Sequence, residues 1–113
     1  MLKEVTLERM VLDIQALAIV NDDRKPDEDG FGSLMVGEVQ LDYRFIGSAF
    51  RVMFLPDGGL RRSVQMWIRG GRVSITEYDL RQDKTEPVKA DLELPLAKLA
   101  AEASCLIRGE HRE

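Results

Sequence analysis

The chain has 113 residues, 44% of them hydrophobic and 32% charged, with a formal net charge of -4. That length and apolar content suit one compact core. The acidic balance works against general binding to nucleic acid or anionic membrane, whose phosphates the net field repels.

A single cysteine, Cys105, excludes an intrachain disulfide, and no apolar run reaches the roughly 20 residues needed to span a bilayer. The N-terminus also lacks the charged, apolar and small-residue order of a secretory signal, so a reducing cytosol is the expected setting.

From Leu7, apolar residues recur at Met10, Val11, Ile14, Leu17 and Ala18. This spacing predicts an amphipathic helix with Thr6 as its cap and Glu8, Arg9, Asp13 and Gln15 on the wet side. Asn21 to Gly30, NDDRKPDEDG, then packs five carboxylates and a proline into ten residues, the composition of a mobile acidic loop. Calcium-loop spacing fails there. It would put Lys25 at the first ligand position and Val36 at the closing glutamate position. No metal or cofactor is expected.

Between Val39 and Leu80 the chain solves its own strand register. Gly47-Ser48, Pro56-Asp57-Gly58 and Gly70-Gly71 divide it into four runs that alternate apolar and polar residues. Gly47-Ser48 suits a two-residue II′ turn, which sets Phe45 against Phe50, Tyr43 against Val52 and Leu41 against Phe54. Reading Leu55 to Gly58 as a three-residue hairpin with a bulge sets Phe54 against Leu60, Val52 against Arg62 and Phe50 against Val64. Gly70-Gly71 sets Ile68 against Val73, Met66 against Ile75, Val64 against Glu77 and Arg62 against Asp79. All three turns agree on one apolar face. A slip of one residue would turn a strand inside out, so the agreement predicts a four-stranded antiparallel meander.

Past the meander, Ala90, Leu92 and Leu94 alternate with Lys89, Asp91 and Glu93, as a short fifth edge strand or an extended lead-in to a helix. That helix starts at Pro95, turns Leu96, Leu99, Ala100, Ala103, Leu106 and Ile107 inward, and stops at Gly109. Residues 109–113 form a charged disordered tail holding His111, the single histidine. With its single histidine in that tail, the chain offers no nucleophilic triad unless an unusual base is used, and the paired glycines are hairpin turns rather than phosphate cradles. Cys105 sits at the flank of its helix stripe. No catalytic residue is assigned.

The expected architecture is a single α+β domain, α-β-β-β-β-α, in two layers, with both helices on the apolar face of the meander. This order resembles the architecture of cystatin-like folds and of small acidic dimeric chaperones for secreted effectors, a likeness of layout carried by no motif.

Two groups of residues break the polar-out pattern. Arg62, Glu77 and Asp79 point inward at one end of the sheet, with Tyr43 nearby. Inward charges must pair or line a wet cavity. They frame one reading, a small-molecule site or enzyme pocket, against a structural ion pair at a rim. On the outer face Arg44 lies across from Arg51, Arg69 from Arg72, Trp67 from Ser74, Ser63 from Tyr78 and Met53 from Arg61. Arginines interleaved with Trp67, Tyr78, Met53 and Ile46 are interface chemistry. The favoured reading is therefore a cytosolic protein-interaction module, binding another protein or itself as a homodimer through the outer face, with nucleic acid a weaker candidate.

Overall fold

Glycines with positive φ at Gly37, Gly47 and Gly70 open two-residue turns that fold the chain back on itself, strand after strand. In the computed structural model, which describes residues 4–22, 29–56, 58 and 61–109, eight main elements follow in chain order. A helix α1 (Glu4–Asp22) precedes six strands: β1 (Gly30–Val36), β2 (Val39–Ile46), β3 (Ala49–Phe54), β4 (Arg62–Arg69), β5 (Arg72–Asp79) and β6 (Lys84–Pro87). A 3₁₀ turn at Ala90–Leu92 then leads into α2 (Glu93–Ile107). The strands form one antiparallel sheet whose spatial order is the chain order. Most of the acidic loop (23–28), Leu60 and the His111 end of the tail (110–113) lie outside the described residues.

The sheet has six strands where the alternation predicts four or five. Strand β1 is hidden in sequence because its inward positions begin with Gly30 and Gly32. A Cβ built on Gly32 would come within 2.6 Å of the Tyr43 hydroxyl, so the glycine is there to let that ring lie across the strand. Strand β6, KTEP, has no apolar alternation at all. It pairs with β5 through Glu77 opposite Glu86 and Tyr78 opposite Thr85. The segment from Pro87 to Leu94, expected as a short fifth edge strand or an extended lead-in to the helix, holds the 3₁₀ turn with Leu92 buried, and α2 begins within it at Glu93.

Every expected pair across the β2–β3 ladder from Tyr43 to Phe45 and across the β4–β5 ladder is present. The β3–β4 ladder differs. Phe50 faces Ile68 rather than Val64, Val52 faces Met66 rather than Arg62, Phe54 faces Val64 rather than Leu60, and Met53 faces Gln65 rather than Arg61. The turn closes as expected, with the Gly58 amide donating to the Leu55 carbonyl at 3.1 Å, but pairing with β3 resumes only at Val64. The offset is four residues. Being even, it leaves every side chain on its expected face.

The core is built from the inner sheet face, where Leu41, Tyr43, Phe45, Phe50, Val52, Val64 and Met66 are buried, and from both helices. Phe45 and Phe50 lie with ring centroids 5.0 Å apart, and Tyr43 packs edge-on to Phe45 at 5.7 Å. Helix α1 supplies Met10, Val11, Ile14 and Ala18, and α2 supplies Leu96, Leu99 and Ala103. Both helices cover the same face.

Three helix details correct the periodicity. Helix α1 starts at Glu4, which puts Thr6 inside its first turn rather than at the cap. Asp13, expected on the wet side, is buried and pairs with Arg9 at 3.2 Å, because α1 packs beside Ala97, Ala100 and Ser104 of α2 as well as on the sheet. Ile107, expected inward, is exposed at the end of α2. Gly109, with φ +70° and its amide on the Leu106 carbonyl at 3.2 Å, ends that helix as predicted.

Burial sorts the leucines of α2. Leu99→Ala should cost about 2–5 kcal/mol and Leu94→Ala, at an exposed position of the same helix, under about 0.5 kcal/mol in urea unfolding.

Candidate functional site

At the end of the sheet where Arg62 pairs with Asp79, the inward charges are drawn into a network that fastens the segment leading into α2. Glu77 is 1% exposed. Its Oε2 accepts the Lys89 backbone amide at 2.7 Å, while Oε1 lies 3.6 Å from the Arg62 guanidinium and 3.8 Å from the Lys89 ammonium. The same Arg62 nitrogen reaches outward to Asp91, at 2.9 Å and 3.1 Å from its two oxygens. One guanidinium therefore bridges an enclosed carboxylate to an exposed one. Two cations against one buried anion compensate its desolvation, the condition for holding a charge inside.

Asp79 turns away from Arg62, its cross-strand neighbour. Its Oδ1 accepts the amides of Arg81 at 2.8 Å and Gln82 at 3.2 Å, closing the β5–β6 turn. Burial pushes this carboxyl upward. The two amide bonds, helped by the charges of Lys89 and Arg61, outweigh it and hold the group below its ordinary value. In the same turn the Tyr78 hydroxyl donates to Asp83, which, with burial and the carboxylate's charge, raises the phenol. Lys89 is raised chiefly by its hydrogen bond to Glu86, against a smaller opposing push from burial.

Tyr43 is not part of this cluster. It pairs with Val52 and, through it, with Met66, four residues or about 13 Å along β4 from Arg62. Its hydroxyl meets the Asn21 amide at 3.2 Å instead. The four-residue offset between β3 and β4 accounts for the separation. What lies beside Arg62 is an open cleft of about 600 Å³ whose lining includes Asp42, Phe54, Arg62, Asp91 and Leu92. Neither Glu77 nor Asp79 lines it. Among the described residues no three His, Cys, Asp or Glu side chains converge to hold a metal ion.

No described helix lies on the outer face, since α1 and α2 both pack on the other side. Its central row runs across four strands as Phe31, Arg44, Arg51 and Trp67, and the next row toward the Gly47 turn holds Ile46, Ala49, Arg69 and Arg72. Trp67 organises the charges. The Arg69 guanidinium lies 4.0 Å from the ring centroid and that of Arg51 lies 5.7 Å away. Stacking fixes the planar groups and leaves their N–H edges available.

Arg44, Arg51, Arg69 and Arg72 form no ion pair among the described residues. Four cations without counter-charges are unusual on an acidic chain. A shallow groove of about 550 Å³ runs beside them, lined by Phe31, Ser33, Asp42, Arg44, Arg51 and Met53. Arg61 and Tyr78 belong to the far end of the face, since the register places Gln65 where Arg61 is expected.

Sequence reasoning missed Phe31, which is 78% exposed, because it stands on the unrecognised strand. The signal was there: Gly37-Glu38 between Val36 and Val39 repeats the Gly47-Ser48 turn pattern.

Glu77→Ala should cost about 3–5 kcal/mol by leaving Arg62 and the Lys89 amide short of their buried partner, and Arg62→Met/Glu77→Leu should recover most of it in urea titrations. Asp79, depressed in the folded protein, stabilises fully above about pH 4, the ordinary carboxyl value, and loses this contribution as pH falls through its lower folded value. The gap in thermal midpoint between the wild type and Asp79→Asn should accordingly be open at neutral pH and close in acid. Comparison with protein-family models, curated proteins and solved structures finds no match for this chain. No helix among the described residues is long and apolar enough to cross a membrane.

Proposed function

We propose that the protein is a small cytosolic interaction module, adaptor-like or chaperone-like, that binds an acidic segment of another protein on the outer face of its sheet. The observation that carries this reading is the set of four arginines that form no ion pair among the described residues, two of them held on the Trp67 ring. Guanidinium groups fixed by stacking meet carboxylates in bidentate fashion without first losing side-chain freedom. Phe31, Ile46 and Met53 add apolar surface around them, the composition of an interface centre rather than of an inert polar face.

Charge also bears on which protein is bound. Laying this face on the same face of a second copy sets arginine against arginine, so a foreign acidic chain fits better than face-to-face self-association. Nucleic acid offers anions too, but the net charge of -4 opposes a long polyanion more than a short acidic segment.

Trp67, the single tryptophan, lies inside the proposed surface and reports on it. Titrating short peptides that alternate glutamate with an aliphatic residue should change its fluorescence saturably and less strongly as salt is raised. Arg51→Glu should weaken binding at least about tenfold while leaving the thermal midpoint within about 2 °C of wild type. Peptides that leave the fluorescence unchanged, or tighter binding of single-stranded oligonucleotide than of any acidic peptide, would overturn the proposal.

A further inference from the structure

The two edges of the sheet are built differently. Strand β6 has four residues and carries Lys84, Glu86 and Pro87, the short, charged, proline-bearing form that discourages pairing with another chain. Strand β1 has seven residues, GFGSLMV, with neither a charge nor a proline. No described strand lies beyond it. Phe31 and Met35 on this strand are 78% and 56% exposed.

Hydrogen-bond phase fixes what the edge offers. The two-residue Gly37-Glu38 turn makes Val36 and Val39 the closing bonded pair, so Gly30, Gly32, Leu34 and Val36 bond to β2. Phe31, Ser33 and Met35 then direct their amides and carbonyls away from the sheet. An independent contact agrees: the Ser33 carbonyl accepts the Asn21 side-chain amide at 3.4 Å.

We infer that β1 pairs antiparallel with β1 of a second copy, on a two-fold axis through Ser33, joining two sheets into one of twelve strands. The register that uses all three outward residues sets Phe31 against the second Met35, Ser33 against the second Ser33 and Met35 against the second Phe31. Each is a bonded pair of the antiparallel ladder. On the outer face each Phe31 ring gains a thioether contact from Met35, which covers the two exposed apolar side chains of the strand.

Self-pairing is favoured over a foreign strand because this register is its own complement and brings no charged side chain of one β1 against another. Among the described residues, the long Asn21 contact is what the second Ser33 amide displaces. The inference is independent of the acidic partner proposed above, whose arginines stand on β2 to β5.

Sedimentation velocity over a concentration series tests it with variants at Ser33, whose side chain is exposed. Wild type should pass from monomer to dimer. Ser33→Lys and Ser33→Asp alone should each raise the dissociation constant at least about tenfold, by placing like charges on the axis, and an equimolar mixture of the two should restore a dimer. Trp67→Ser and Arg51→Glu should leave the dimer unchanged. A wild type that stays monomeric, a dimer lost with Trp67 but not with Ser33, or a mixture that stays monomeric would each overturn the inference. A wild-type monomer that binds a synthetic Gly30–Val36 peptide would assign the edge to a foreign strand, and would also overturn it.

Discussion

The alternation of side chains across a pleated sheet is the constraint on which the molecule rests. Each ladder here is antiparallel and joins neighbours in the chain, so a residue's parity along its strand decides whether it faces the helices or the open side. Phe50 and Trp67 illustrate the sorting. They stand on adjacent strands, yet Phe50 is fully buried against Phe45 while Trp67 lies on the opposite surface among arginines. With both helices on the apolar face, no described helix covers the other face.

The same parity decides where charge can go. At Glu77 and Arg62 it sends ionisable groups inward, and the protein answers by wrapping the connection before α2 around them, so that the Lys89 amide bonds Oε2 and the Lys89 ammonium and Arg62 guanidinium stand as ion-pair neighbours of Oε1. The carboxylates at this end hold backbone in place: Glu77 fixes the approach to α2 and Asp79 fixes the β5–β6 turn. On the outer face parity gathers Arg44, Arg51, Arg69 and Arg72, which form no ion pair among the described residues. One set of charges is thus spent on structure, and the other set is the one the proposed interface would use.

Legibility in the sequence followed the strength of that alternation. Strands β2 to β5, their faces and most of their partners could be read because Leu41, Tyr43, Phe45, Phe50 and Val52 mark one side without interruption. The β3–β4 offset could not, since an even slip keeps the same residues inward and periodicity cannot tell one from another. Tyr43 was consequently placed beside Arg62. The edges failed for a different reason. Half of the inward positions of β1 are glycine, one of them, Gly32, made necessary by the Tyr43 ring, and β6 carries no apolar residue other than Pro87. Asp13 shows the limit for helices: a stripe defines one buried side, and a second neighbour such as α2 can bury another.

Helix α2 comes after all six strands in chain order, yet its Leu96, Leu99 and Ala103 seal the same layer that α1 begins to cover. During ribosomal synthesis, which emits about 5–20 residues per second, the greasy side of the nascent meander must wait several seconds for that closing piece. A holdase that shields the half-roofed intermediate would raise the yield of native molecules without ever touching the finished fold.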